Sequence, residues 1–92
     1  MREQAIERQL KKTIQAAGGL CWKLTCPGIA GVPDRICLMN GRVVFVEVKA
    51  PGALPRPLQL RRMHQLQPQG FTCLVLDNPD GIQEVLDALQ AA

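Results

Sequence analysis

The sequence of 92 residues is poor in aromatic side chains, with one tryptophan, two phenylalanines and no tyrosine. It has a single histidine, and its four cysteines do not form the two C-x-x-C pairs of a structural zinc site. No apolar run approaches the roughly 20 residues that span a membrane, and the charged N-terminus does not resemble a signal peptide. These absences argue against a zinc finger, a membrane protein, a secreted protein, and a protein that stacks single-stranded bases on aromatic rings.

The length predicts a single domain over residues 1–92. A chain of this size buries only roughly 60–68% of its unfolded surface, so we expect self-association to add stability. Cys37 and Cys73 lie in apolar runs, where a free thiol packs as a small hydrophobe. Cys21 and Cys26 flank a predicted turn and could pair in an oxidising compartment, but we expect four reduced thiols in a cytoplasmic protein.

Hydrophobic periodicity and turn residues predict three helices and four strands. Asn40-Gly41 is a strong hairpin signal between the second and third strands, and segments 27–33 and 51–57 are loops rich in proline and glycine. The resulting order, α-β-β-β-α-β-α, predicts an α/β domain with a small mixed sheet flanked by helices. The predicted elements are helix 3–17, strands 20–24, 35–39 and 42–50, helix 58–66, strand 71–76, and a final helix capped by Asn78 or Asp80.

Two segments carry the candidate chemistry, because Asp34 precedes one apolar strand while Glu47 and Lys49 lie near the end of the next. Residues two apart on a strand share a face, so Glu47 and Lys49 project together. Two carboxylates beside a lysine suit metal-assisted phosphodiester hydrolysis, because the acids bind a hard divalent cation and the ammonium orients the attacking water. Taken alone, a Glu-x-Lys triplet on a strand is more often a solvated ion pair.

The first predicted helix supplies a further candidate acid. Ile6, Leu10 and Ile14 form its apolar stripe, and Glu3 and Glu7 both border that stripe. A glutamate there is placed to face a site between the helix and the sheet. The alternative is an acid favoured by the helix dipole in the first turn, which suits Glu3 better than Glu7.

Charge is distributed unevenly along the chain. All eleven Lys and Arg residues lie in residues 1–62 with only four acidic residues, so this part carries a net charge of +7. Residues 63–92 hold four acidic residues and no Lys or Arg, for a net charge of −4. Candidate metal-binding acids within a basic part suit a protein that gathers a polyanion. The simpler alternative is an acidic solvent face on the final helix.

The order of these acids and elements resembles the PD-(D/E)XK nuclease superfamily. Three blocks, Gly31–Arg35, Phe45–Gly52 and Pro55–Gln59, further resemble the VRR-NUC family in its short, stand-alone, phage-type form, over nearly the whole chain. The resemblance implies a restriction-endonuclease-like α-β-β-β-α-β core and a Mg²⁺- or Mn²⁺-dependent DNA endonuclease. It also implies a homodimer that cleaves branched DNA such as four-way Holliday junctions, in the cytoplasm of a bacterial or phage-infected cell.

The resemblance assigns roles to the motif residues. Asp34 and Glu47 would ligate the metal together with the backbone carbonyl of Val48, and Lys49 would position the water. Gln59 matches a glutamine of the family and would face the site.

On the first helix, Glu7 would complete the acidic cluster, with Glu3, one turn earlier, as the alternate. We expect His64 on the surface, and Trp22 either in the core or in a dimer contact. Basic residues near these motifs are candidates for phosphate contacts, although each is also compatible with an ordinary surface charge. They are Arg35, Arg56, Arg61, Arg62, Lys11 and Lys12.

Two other functions stay open from the sequence. One is a non-catalytic module that binds branched DNA, which the intact acids and lysine argue against. The other is a flap or nicking nuclease of a restriction or phage system, because substrate choice depends on dimer geometry and groove shape.

Overall fold

The computed structural model describes residues 2–91, and within them three α-helices and four β-strands follow the predicted order α-β-β-β-α-β-α. The α/β fold with a small mixed sheet is therefore confirmed. Short 3₁₀ turns at Gln67–Gln69 and Pro79–Gly81 precede β4 and α3. The elements are α1 (Glu3–Ala16), β1 (Leu20–Lys23), β2 (Arg35–Met39), β3 (Arg42–Val48), α2 (Pro57–Leu66), β4 (Thr72–Leu76) and α3 (Ile82–Gln90).

The four strands lie in the order β1-β2-β3-β4. The first three are antiparallel neighbours, whereas β4 runs parallel to β3 after the crossover through α2. Asn40 and Gly41 make the β2–β3 turn with φ values of 54° and 76°, as the hairpin signal predicted. The N-terminal end of β2 and the C-terminal ends of β3 and β4 therefore meet at one end of the sheet.

The hydrophobic core fills the space between one face of the sheet and helices α1 and α3. Alternate residues of β3 point into this layer, in agreement with the strand period of two. The core consists of Ile6, Leu10, Ile14, Cys21, Cys37, Met39, Val44, Val46, Val48, Leu76, Ile82, Val85 and Leu89.

Helix α2 covers part of the opposite face, where Phe45, Glu47, Gln59 and Met63 are buried. Trp22, on the same face at the edge strand β1, is 57% exposed. It is not a core residue, so of its two predicted roles only the dimer contact stays open.

Element boundaries differ slightly from the predictions, each for a local reason. Helix α2 begins at Pro57, one residue earlier, because proline suits the first turn of a helix. Strand β3 ends at Val48 because its pairing with β4 ends there. Neither Asn78 nor Asp80 caps α3 as predicted, because a 3₁₀ turn intervenes: Asn78 caps that turn, its side-chain oxygen accepting the backbone N–H of Asp80 at 2.9 Å, and Gly81 precedes α3.

All four cysteines are free thiols. The Sγ of Cys21 faces that of Cys37 across β1 and β2 at 3.8 Å, so Cys26 is not its neighbour. Within residues 2–91, no helix has the length and apolar character needed to cross a membrane.

The loop before β2 packs tightly against α2 at Gly31. This residue has a φ of 83°, and a Cβ added there would lie 2.7 Å from Leu58 Cγ and 3.2 Å from the Leu58 carbonyl oxygen. Only glycine meets both conditions, the left-handed backbone and the close approach to the helix. The loop that leads to Asp34 is therefore held against α2.

We expect Gly31→Ala to lower the free energy of unfolding by roughly 2–4 kcal/mol, because left-handed strain and overpacking combine. Gly28→Ala is the matched control, since Gly28 also has a positive φ of 82° but no atom within 4 Å of an added Cβ. Urea unfolding should place Gly31→Ala at least about 1 kcal/mol below the control. Equal losses for the two variants would contradict the packing argument.

Candidate metal and catalytic site

Asp34 and Glu47 lie opposite each other at the end of the β2–β3 ladder. The register pairs Arg35 with Val46, so one step further sets Asp34 beside Glu47 on the face that α2 covers. The Asp34 carboxylate accepts the backbone N–H of Val48 at 2.9 Å, and its carbonyl accepts the N–H of Leu24 at 2.8 Å. These bonds fix Asp34 to both neighbouring strands.

The Glu47 side chain is buried but only half satisfied. Glu47 is 1% exposed, and its Oε2 accepts a 3.0 Å hydrogen bond from Gln59 Nε2. Lys49 Nζ lies 3.7 Å from the same oxygen. The other oxygen, Oε1, is buried without a hydrogen-bond partner. An unpartnered carboxylate oxygen in the interior is costly unless something binds it.

The electrostatics of the site also favour a ligand bound beside Glu47. Burial raises the pKa of Glu47 to about 7, helped by the negative charge of Asp34. The Lys49 ammonium opposes this pKa shift, and the charge of Glu3 adds slightly to it. Two facing carboxylates with one lysine leave excess negative charge, which a cation would neutralise.

These residues fit a hard divalent cation. Among residues 2–91, no group of three or more His, Cys, Asp or Glu side chains is placed to hold a metal ion. Mg²⁺ often uses only one or two protein carboxylates and keeps several waters, so Asp34 and the free Oε1 of Glu47 are sufficient protein donors. Oxygen donors of this kind suit Mg²⁺ or Mn²⁺ rather than zinc.

The two glutamates of α1 are placed differently. Glu7 Oε1 accepts a hydrogen bond from Arg35 Nε at 2.7 Å, forming a largely shielded ion pair between α1 and β2. Glu3 is the helix-one acid whose charge contributes to the raised pKa of Glu47. The sequence reading missed the Glu7–Arg35 pair, although the strand period was a usable signal. A residue next to Asp34 must point to the other face, toward α1.

Gln59 connects the start of α2 to the site, as the resemblance implied. Its Oε1 accepts the backbone N–H of Arg56 at 2.8 Å, while its Nε2 donates to Glu47. The amide is 6% exposed, so both of its bonds are shielded from water. Gln59 therefore fixes one oxygen of Glu47 and leaves the other free.

The six basic residues predicted to contact phosphate are not equivalent. Arg35 is engaged by Glu7. Arg62 donates from Nε to the Ala30 carbonyl at 2.7 Å, which ties the loop before β2 to α2. The other four are exposed and lie on opposite faces of the sheet. They are Lys11 and Lys12 on α1, Arg56 just before α2, and Arg61 within α2. His64, also on α2, is exposed as predicted.

Comparison with known proteins gives full-length similarity both to a curated protein and to a solved structure. No family model matches the sequence. The curated protein "Putative nuclease p44" of Acyrthosiphon pisum secondary endosymbiont phage 1 is 42% identical over 90 residues, covering 97% of this chain and 96% of that protein. A solved structure described as "VRR_NUC domain" has a TM-score of 0.86 and 27% identity, over 95% of this chain and 97% of its own.

We expect Glu47 to make the stability of the metal-free protein depend on pH. The unfolded glutamate releases its proton near pH 4.5, whereas folded Glu47 retains its proton until about pH 7. The folded state therefore binds more protons in this interval, so stability falls as pH rises. At roughly 1.4 kcal/mol per unit, the loss from this group is about 3 kcal/mol.

The measurement is urea unfolding in EDTA at pH 5 and pH 8, for wild type and Glu47→Gln. The glutamine cannot ionise, so the variant should gain roughly 2–3 kcal/mol relative to wild type between the two pH values. The comparison removes the contribution of other titrating groups. If the difference in unfolding free energy between variant and wild type is the same at both pH values, the raised pKa of buried Glu47 is contradicted.

Proposed function

This chain belongs to the VRR-NUC family of the PD-(D/E)XK nucleases, and we propose that residues 1–92 form one metal-dependent, structure-selective DNA endonuclease domain. The observation that carries the proposal is the Asp34–Glu47 pair, in which Glu47 is buried with one oxygen unpartnered and a lysine 3.7 Å from the other. A phage relative supports a site of action in the cytoplasm of a bacterial or phage-infected cell.

We assign the metal-holding role to Asp34, Glu47 and the backbone carbonyl of Val48. When bound, Mg²⁺ or Mn²⁺ neutralises charge at the scissile phosphate and lowers the pKa of a coordinated water. Lys49 Nζ donates a hydrogen bond that orients the attacking water and steadies the developing charge. Gln59 is a positioning residue, because it holds Glu47 Oε2 and leaves Oε1 without a hydrogen-bond partner. In-line attack leaves a 5′-phosphate and a 3′-hydroxyl.

For the helix-one acid we propose Glu3, the predicted alternate to Glu7. The support is electrostatic, because the charge of Glu3 reaches Glu47 whereas Glu7 is bound to Arg35. On this assignment Glu7 acts indirectly, by holding β2 against α1 one residue from Asp34. Glu3→Gln should then weaken Mg²⁺ binding more than Glu7→Gln.

We propose DNA, and branched DNA in particular, as the substrate of a homodimer. A two-fold dimer presents two equal sites to the two strands of a symmetric junction. The net charge of +7 in residues 1–62 favours a polyanion. For the dimer surface we propose the apolar side of β1, where Leu20 and Trp22 are 46% and 57% exposed on an edge strand.

Cleavage of a synthetic four-way junction is the direct test, beside flap, splayed and linear duplex DNA, in Mg²⁺, Mn²⁺ or Ca²⁺. We expect paired nicks on the junction with Mg²⁺ or Mn²⁺ and none with Ca²⁺. Glu47→Ala and Lys49→Ala should each lose at least about a hundredfold in rate, whereas Glu84→Ala on the exposed side of α3 should keep it.

The outcomes separate the alternatives. If all four DNAs bind and none is cut with any metal, the catalytic proposal fails and the non-catalytic binding module is the better account. Faster cutting of the flap than of the junction would favour a flap nuclease.

The dimer is tested by sedimentation equilibrium. Wild type should have about twice the chain mass of 10.1 kDa, and Trp22→Ser should shift the protein toward monomer. Val75→Ser is the matched control, because Val75 is a 43% exposed apolar residue on the opposite edge strand, β4. A monomeric wild type, or equal effects of both variants, would contradict the proposed surface.

A further inference from the structure

Leu54 is the most exposed large apolar side chain in residues 2–91, at 84%. The next is Trp22, at 57%. Single exposed leucines are common on protein surfaces and need no explanation by themselves. Two further features of Leu54 call for one, namely the stiffness of its loop and the position of that loop.

The backbone around Leu54 is held in a defined shape. The Ala53 N–H donates to the Ala50 carbonyl at 3.0 Å, with Pro51 and Gly52 at the turn centre and a φ of 80° at Gly52. Proline followed by a left-handed glycine is the signature of a type II turn. Pro55 and Pro57 follow on the other side of Leu54 and restrict its exit path. The turn and the two prolines therefore hold the exposed Leu54 side chain in a defined position.

Both ends of the loop are attached to the candidate site. The loop leaves β3 at Lys49, two residues after Glu47. It ends at Arg56, immediately before α2. The backbone N–H of Arg56 donates to Gln59, which is hydrogen-bonded to Glu47. Leu54 is five positions after Lys49, so their Cα atoms are at most roughly 17 Å apart. At about 3.4 Å per base step, this span corresponds to about five base steps, which keeps Leu54 near the DNA that Lys49 contacts.

From this placement we propose that Leu54 is a wedge that selects the substrate, inserting its side chain at a base step where stacking is already interrupted. The inference rests on the proposed endonuclease function and specifies how that site chooses branched DNA. Apolar side chains such as leucine can enter a base step and part the stacked bases, which costs free energy wherever the stack is intact. At a branch point the stack is already open, so insertion there avoids most of this cost.

The charges beside Leu54 suit a nucleic acid as its partner. Arg56 and Arg61 are exposed at and just after the start of α2, where they can hold the phosphates that flank the wedge. Residues 50–55 contain no acidic side chain that would repel phosphates. A second copy of the chain is the competing occupant of an exposed leucine, and the experiment distinguishes it.

The test places the fluorescent base 2-aminopurine beside the branch point of a four-way junction. Its fluorescence rises when it loses its stacking partner. In EDTA, where no cutting occurs, saturating wild type should raise the fluorescence. Leu54→Ala should not, at equal occupancy of the DNA. Leu54→Met is the matched control, because it keeps the apolar volume and should behave as wild type.

The same variants are then compared in Mg²⁺ for cleavage of junction and linear duplex. Leu54→Ala should lower the ratio of junction to duplex cleavage about tenfold, with the duplex rate unchanged, while Leu54→Met keeps the ratio. An unchanged ratio, or an unchanged fluorescence response, would overturn the wedge. So would a fall in sedimentation mass for Leu54→Ala, which would make Leu54 a contact between copies.

Failure of the proposed function would look different. If wild type cuts no DNA but the fluorescence still depends on Leu54, the endonuclease proposal fails while the wedge stands as a feature of a branched-DNA-binding module. If wild type cuts junctions and neither readout responds to Leu54, the endonuclease stands and the wedge is wrong.

Discussion

The half-satisfied carboxylate of Glu47 is the constraint on which the other features of the site depend. One oxygen is held by Gln59 and approached by Lys49, and the second has no hydrogen-bond partner in the interior. Burying a charged group in this way is unfavourable, and the raised pKa of about 7 expresses that cost. A cation bound beside the unpartnered oxygen would make the arrangement favourable. On the proposed function, the metal-free fold therefore carries a penalty that metal binding would remove.

The fold can carry this penalty because stability and chemistry lie on opposite faces of one sheet. Every residue of the main core cluster lies on the side of α1 and α3. The other face has a thinner cover, α2, which buries Gln59 and Met63 against it. Strand alternation makes this separation possible, since β3 sends Val46 and Val48 to the core while Glu47 between them faces the site. Variants that remove the charge of Glu47 should therefore affect stability and function in opposite directions.

Several charged residues near the site serve the scaffold and not the substrate. Arg35 joins β2 to α1 through Glu7, and Arg62 joins α2 to the loop before β2. Both contacts hold segments that flank Asp34, so they influence the geometry of the proposed metal-binding acids indirectly. The charges free to contact a polyanion are consequently fewer than the composition suggests. The loop that bears Leu54 adds an apolar element to this surface, between Lys49 and Arg56.

The sequence by itself determined the order of elements, the hairpin at Asn40-Gly41 and the pairing of Asp34 with Glu47 and Lys49. These features follow from local signals, namely periodicity, turn residues and the short spacing of a motif. Only the tertiary structure decided that Glu7 pairs with Arg35, and which arginines are engaged elsewhere. Those outcomes depend on how α1 and α2 dock on the sheet, because Glu3 and Glu7 lie one turn apart on nearly the same side of α1, and the position of the helix along the sheet decides which of them meets β2. The exposure of Trp22 and Leu54 has the same origin, since local sequence does not reveal which apolar residues are left without a covering layer.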